Sequence, residues 1–366
     1  MSKILNKCLL FIIIILPLVR CSNMSGSGEG VTYSDRDFEN GGNLKGSIIP
    51  VPTRFNPLTY HVIRDSFVLI TYWDADDYLV DLVNFKRGQL IRKLAKAGSD
   101  STLFSSARIR YVSPLDNYFT VYDVVKNRLT KFNIDSVLLE EGYNGVGYNI
   151  PSFAGDMTFY QNDSILIFNK YYFNIKDSIL NSNNSSPLLF ISKEYTRNQI
   201  LNIEYERTPQ FFTFNATGSD IYVNPKSQDI WLVDNAFDKI TIFDSKFLAK
   251  KQLLGPDVFD IKYELRPDSS VHTFMAKYYR SFYPGVFTGD HVYMMYLGIQ
   301  GIDLNKSNIE RPVCILKYRW DGSPVKKYKI NEFLYNLSIV SGETAIYGTT
   351  AKKFGDSAKL IKYIIE

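Results

Sequence analysis

Residues 229–244 read DIWLVD-NAFD-KITIFD, and residues 118–133 read YFTVYD-VVKN-RLTKFN, so the two stretches align without a gap. Each holds an aromatic and β-branched run ending in Asp (Asp234, Asp123), four turn residues, and a second run closed by Asp244 or Asn133. Apolar and polar positions alternate with a strand's period of two, and a short polar break between two such runs is a hairpin. A hairpin unit that recurs implies an all-β array of similar sheets. The aromatic content of 15% suits this reading, because flat rings pack well on a half-buried pleated surface.

Four further copies, less regular, follow the same grammar. The first has Phe67–Trp73, a turn, Leu79–Phe85 and Gln89–Leu94, with Arg87-Gly88 as a tight-turn signal. The third contains Ser164–Asn169, Leu188–Ser192 and Ile200–Tyr205 around a polar loop at 181–186. The fifth contains His291–Leu297, Val313–Arg319 and Val325–Ile330, and the sixth Leu337–Ser341, Ala345–Thr350 and Lys359–Ile365. Units spaced by roughly 45–60 residues match a radial repeat, so the expected fold is a six-bladed β-propeller. The sixth unit shows three strands; an N-terminal strand, from Leu58–Ile63 or Gly46–Val51, is expected to complete it and close the ring.

Ahead of the repeats, Lys3 and Lys7 precede the apolar run Cys8–Val19, the pattern of a secretory signal over residues 1–20. Three of the 42 basic residues lie in that leader, leaving 39 basic against 38 acidic, and no basic run to serve as a nucleic-acid footprint. Leu18-Val19-Arg20-Cys21 resembles a bacterial lipobox, with Arg20 where a small residue is usual, and makes Cys21 the expected lipid anchor to a membrane. Residues 21–46, rich in Ser, Gly and Asn, read as a flexible tether spanning roughly 25–30 Å, with the propeller occupying 47–366. Cys314, in an apolar run and without a cysteine to pair with, is expected to be a buried thiol.

The leader, the paired hairpins, Gly255-Pro256-Asp257 and the turn Gly147-Tyr148-Asn149 together resemble the TolB-like six-bladed propeller lipoproteins of the Bacteroidota. The resemblance covers about residues 50–366. It implies an outer-membrane lipoprotein of the cell envelope and names no reaction. The tripeptides at Ser101, Ser136, Ser164, Ser178 and Ser357, each preceded by Asp, are similar to O-glycosylation sites of the same bacteria.

Motifs of catalysis are sparse. His61, His272 and His291 are not spaced as metal ligands, no G-x-S-x-G elbow is present, and Gly142–Gly147 lacks the Lys and helix of a phosphate loop. Asp123 and Asp234 are read as turn caps, and Asp74-Ala75-Asp76-Asp77 as a charged turn, so neither metal nor cofactor is expected. Ligands of propellers meet the funnel leading to the innermost strands; the candidates there are Arg108, Arg110, Tyr111, Tyr148 and Asn149, with the aromatic segment Phe282–Phe287. Arg and aromatic side chains suit stacking and forked hydrogen bonds to glycans or peptides. The expected function is therefore a non-catalytic binding or scaffold module with an envelope protein or glycan as partner. The alternative is an envelope hydrolase or lyase with acid–base groups in the funnel.

Overall fold

The structure, a computed structural model, describes residues 29–73, 75–111, 113–150, 219–234, 239–256, 282–297, 313–351 and 357–365, and six shorter strands between them. The chain opens with β1 (Glu29–Thr32), β2 (Glu39–Leu44) and β3 (Ser47–Ile49). The first sheet follows as β4 (Pro57–Ile63), β5 (Phe67–Tyr72), β6 (Tyr78–Asn84) and β7 (Gln89–Lys96). The second has β8 (Arg108–Arg110), β9 (Tyr118–Asp123), β10 (Arg128–Asn133), the short helix α1 (Ile134–Leu139) and β11 (Val146–Asn149). The third is β12 (Ala154–Phe159), β13 (Ile165–Asn169), β14 (Leu188–Ile191) and β15 (Asn198–Ile200). The fourth is β16 (Ser219–Val223), β17 (Ile230–Asp234), β18 (Lys239–Phe243) and β19 (Ala249–Leu254). After a ribbon of β20 (Tyr263–Leu265) and β21 (Val271–Thr273) comes the fifth: β22 (Phe282–Phe287), β23 (His291–Tyr296), β24 (Val313–Arg319) and β25 (Pro324–Ile330). The last strands are β26 (Leu337–Ile339), β27 (Ala345–Thr350) and β28 (Lys359–Ile364).

This is an all-β protein with a β-propeller fold. Each sheet is a meander whose first strand lies innermost: β12 lies against β16, β22 against β26, and β26 against β4. Middle strands are covered on both faces by neighbouring sheets, so β6 and β18 are buried almost without interruption rather than alternating. The expected six blades are corrected to five: five sheets each contain four consecutive strands, two of them extended at the outer edge by β1 or β2. A further four-stranded sheet is composite, in the order β26-β27-β28-β3. Leu58–Ile63 is not its fourth strand, because that stretch is the innermost strand of the first sheet.

The larger correction concerns the expected tether. Residues 29–44 are not a loose leash but form a strap along the outer edges of two sheets. β1 pairs in parallel with β19, and β2 in parallel with β25, before β3 joins β28. Between β1 and β2, Tyr33 and Phe38 turn inward and are buried at 4% and 7% exposure. Their rings meet Tyr318 edge-on, and the Tyr33 and Tyr318 hydroxyls share a hydrogen bond of 2.8 Å. The glycines are what made this strap look like a linker, and two of them are needed for close approach. A Cβ on Gly41 would sit 2.5 Å from the Tyr328 ring, and one on Gly46 2.3 Å from Ile361.

Antiparallel pairing places every first-to-second and third-to-fourth turn at one end of the propeller, the lower end. Links between those turns run from sheet to sheet: Arg64 to Asp135 at 2.5 Å, Ser341 Oγ to Asp65 at 3.2 Å, and Lys226 to Asp290 at 2.6 Å.

The seam between the composite and first sheets is polar. Asn336 Nδ2 donates to the Tyr60 carbonyl at 2.9 Å and lies 3.0 Å from His61 Nε2, while its Oδ1 accepts from Thr349 N at 2.9 Å. Thr349 Oγ1 and Ser338 Oγ accept from the backbone N–H groups of Tyr60 and Val62. Burial holds the His61 imidazole down to about 4, so it packs neutral.

Candidate functional site

The expected funnel residues divide between the two edges of one sheet. Arg108, Arg110 and Tyr111 belong to innermost β8 and its continuation, whereas Tyr148 and Asn149 lie on β11, the outermost strand. They form no single site. Sequence proximity to a turn does not reveal which edge of a blade a strand will occupy, and this misplaced Tyr148 and Asn149.

Arg110 reaches across to the fourth sheet. Its Nη2 donates to the Ile221 carbonyl at 2.5 Å, and its guanidinium lies 5.8 Å from the Tyr222 ring. Tyr222 Oη in turn accepts from Gly285 N at 2.5 Å, in the fifth sheet. The second, fourth and fifth sheets are thus joined across the middle by polar bonds. Arg108 is exposed, and Tyr111 is buried at 3%. Below them, in the β8–β9 turn, stands Asp116. Burial raises its carboxyl to about 7, against the opposing pull of Lys131 and Arg110. A carboxyl that carries its proton near neutrality is a feature no motif announced.

A second cluster sits at the lower end between the fifth and composite sheets. Glu343, in the β26–β27 turn with φ +52, projects its carboxylate at the neighbouring sheet. Oε1 meets Thr288 Oγ1 and His291 Nδ1, the latter at 3.0 Å; Oε2 accepts from Tyr293 Oη at 2.7 Å and Lys317 Nζ at 2.9 Å. Burial works against ionisation here, but the bonds from Thr288, Lys317, Tyr293 and His291 outweigh it and hold the carboxyl at about 2. A carboxylate so fully donated to is a fastener, not a proton carrier.

The upper end presents a different surface. Trp73, just past β5, is 73% exposed, and Phe55, just before β4, is 43% exposed. The register pairs Pro57 with Tyr72, which puts both residues at the same end of the first sheet. Phe55 is held rigidly: the Arg54 guanidinium lies 4.9 Å from its ring, and Tyr72 meets it edge-on at 5.6 Å. Arg54 is itself fixed by Asp81, with Nε bonds of 3.0 and 2.8 Å, and by Asp77 at 2.7 Å. Asp77 also takes Lys93 at 2.9 Å, so this carboxylate of the Asp74–Asp77 turn braces the platform.

The other expectations find their places as follows. Asp123 is fully buried and accepts from Ser105 N, Ser106 Oγ, Val125 N and Lys126 N, the cap expected of it. The side chains of Asp234 and His272 lie outside the described residues, as do Ser164 and Ser178 and residues 1–28 with Cys21. Ser101 and Ser357 are exposed, whereas Ser136 is half-buried in α1 rather than on a loop. Cys314 is a buried thiol in no disulfide. Among the described residues no cluster of His, Cys, Asp and Glu is arranged to hold a metal, and no helix is long and apolar enough to cross a membrane.

No protein-family model matches the chain. No curated protein matches it either. Among solved structures, it is similar to a member of the DUF4221 family from Bacteroides vulgatus, at 10% identity and a TM-score of 0.57, over 88% of this chain and 98% of that one. It is also similar to a Bacteroides fragilis protein described as exported, at 12% identity and a TM-score of 0.55, over 92% of this chain and 99% of that one. At such identities the likeness establishes the fold alone. It spans nearly the whole of both structures.

Proposed function

We propose that the chain is a lipid-anchored, non-catalytic binding propeller of a bacterial envelope that takes its partner at the upper end, on Trp73 and Phe55. The carrying observation is two exposed aromatics at one end of the first sheet: Trp73, 73% exposed just past β5, and Phe55, 43% exposed just before β4 and braced by the Arg54–Asp81 pair. Large aromatics normally go inside, and rings left exposed suit the face of a sugar ring or an apolar peptide side chain. The leader and Cys21 supply the export signal and anchor, and likeness to an exported Bacteroides protein supports that address. In this reading the composite sheet serves as the sixth and closing blade, as in TolB-like lipoproteins, and exposed Ser101 and Ser357 are the sites open to O-glycosylation.

The test is retention of ligands from solubilised envelope on the wild type and on Trp73→Ala/Phe55→Ala, followed by titration of the recovered glycan or protein. The double variant should lose at least tenfold in affinity. Equal retention would move the site elsewhere. A second reading, an envelope hydrolase or lyase, is favoured by Asp116 alone, since a carboxyl near 7 beside Arg110 is what a general acid needs. It requires envelope-glycan cleavage with an apparent pKa near 7 that Asp116→Asn abolishes; no cleavage by the wild type removes it.

A further inference from the structure

The place where the strap enters the propeller has a consequence for how the domain sits. β1 runs parallel to β19 with Glu29 opposite Lys251, so Glu29 stands near the start of β19. The described chain therefore begins at the lower end, beside the β18–β19 turn. Seven residues, 22–28, separate Glu29 from Cys21. Fully extended they reach at most about 25 Å, less than the width of a domain of this size.

Asp244 caps that turn, its Oδ1 accepting from Lys246 N at 2.8 Å and Leu248 N at 2.9 Å. Leu248 is 64% exposed at its tip, and the preceding Phe247 is held at φ +65, a conformation disfavoured for a bulky residue. Lys246 is exposed on one side of Leu248, and Lys250, half-exposed and bonded to Asp229 at 2.9 Å, lies on the other. An apolar side chain between lysines matches a membrane interface, where the leucine enters the acyl boundary and the ammonium groups stay among the headgroup phosphates. We infer that the β18–β19 turn rests on the lipid surface, with Leu248 inserted, so that the propeller meets the bilayer at the lower rim of its fourth sheet. The inference rests on anchoring at Cys21. It deepens that reading by fixing an orientation in which Trp73 and Phe55, at the other end, face away from the membrane.

The test uses the full lipidated chain in vesicles of phosphatidylethanolamine and phosphatidylglycerol. A polarity-sensitive fluorophore is placed at Leu248→Cys, or at Val125→Cys in the upper-end β9–β10 turn, and quenched with brominated lipid. The expected result is a blue-shifted emission at 248 and quenching at least threefold stronger than at 125. Equal quenching at the two positions, with the protein floating with the vesicles, would overturn the contact and leave the anchor standing. Failure of the wild type to float, matched by Cys21→Ser, would overturn the anchor and the contact with it.

Discussion

Two seams of the propeller are closed by opposite chemistry. Between the fourth and fifth sheets, the strap drives Tyr33 and Phe38 against Tyr318, beside Trp231 and Trp320, in a largely aromatic wedge whose Tyr33 and Tyr318 hydroxyls bond each other. Between the composite and first sheets, Asn336, Thr349, Ser338 and His61 form a hydrogen-bonded latch with the backbone of β4. The first seam is held by area removed from water, a force indifferent to pH and register. The second is directional, and it contains a titratable ring. A toroid can drift along an apolar seam, but the latch fixes how the end of the chain meets its beginning.

The contrast predicts a graded series. Tyr33→Ala and Phe38→Ala should each cost roughly 3–5 kcal/mol in urea unfolding, with the same loss at pH 5 and pH 7. Acid should act on the other seam. His61 has a folded value of about 4, below the ordinary 6.5, so the unfolded chain takes up a proton that the folded one declines. The stability is whole above pH 6.5 and should fall by about 3 kcal/mol as pH drops towards 4, an effect that His61→Gln flattens. Asn336→Ala should cost about 1–3 kcal/mol by leaving the Thr349 N–H and Tyr60 carbonyl without their partner. If instead the Tyr33 variant is the pH-sensitive one, the division between the seams is wrong.

Smaller effects sharpen the picture. Glu343 is held at about 2, so its contribution is present above the ordinary carboxylate value and lost only in stronger acid. Glu343→Gln should cost about 1 kcal/mol at neutral pH, discounted for its partial exposure, and should leave the His61 limb untouched. Trp73→Ala should change stability by less than about 0.5 kcal/mol, because nothing in the core depends on so exposed a ring. A larger loss would mean that the platform is structural.

The blades were legible because alternation survives wherever a strand has one face to bury, as at 118–133, and because Asp123 is a turn cap by local chemistry alone. The strap was not. A stretch such as ENGGNLKG is poor in apolar residues because it lies flat over Tyr328 and Ile361 and contributes backbone rather than side chains. Asp116 and Glu343 were missed for another reason: each is a lone carboxylate in a turn, and its character comes from residues of other sheets. Trp73 closes an apolar run in the sequence and lies one position past β5; only the three-dimensional arrangement shows that its ring is left exposed at the same end of the sheet as Phe55.

The strap also sets the order in which the molecule can be finished. Residues 29–44 pair with strands made more than two hundred positions later, and Ser47–Ile49 with β28, within reach of the final residue. A chain folding from its amino end must keep that first segment waiting, extended and unpaired, until β19, β25 and β28 are available. Such long-range pairing makes β1, β2 and β3 the last strands to find their partners: without β19 or β28, β1 or β3 would have no neighbour to bond.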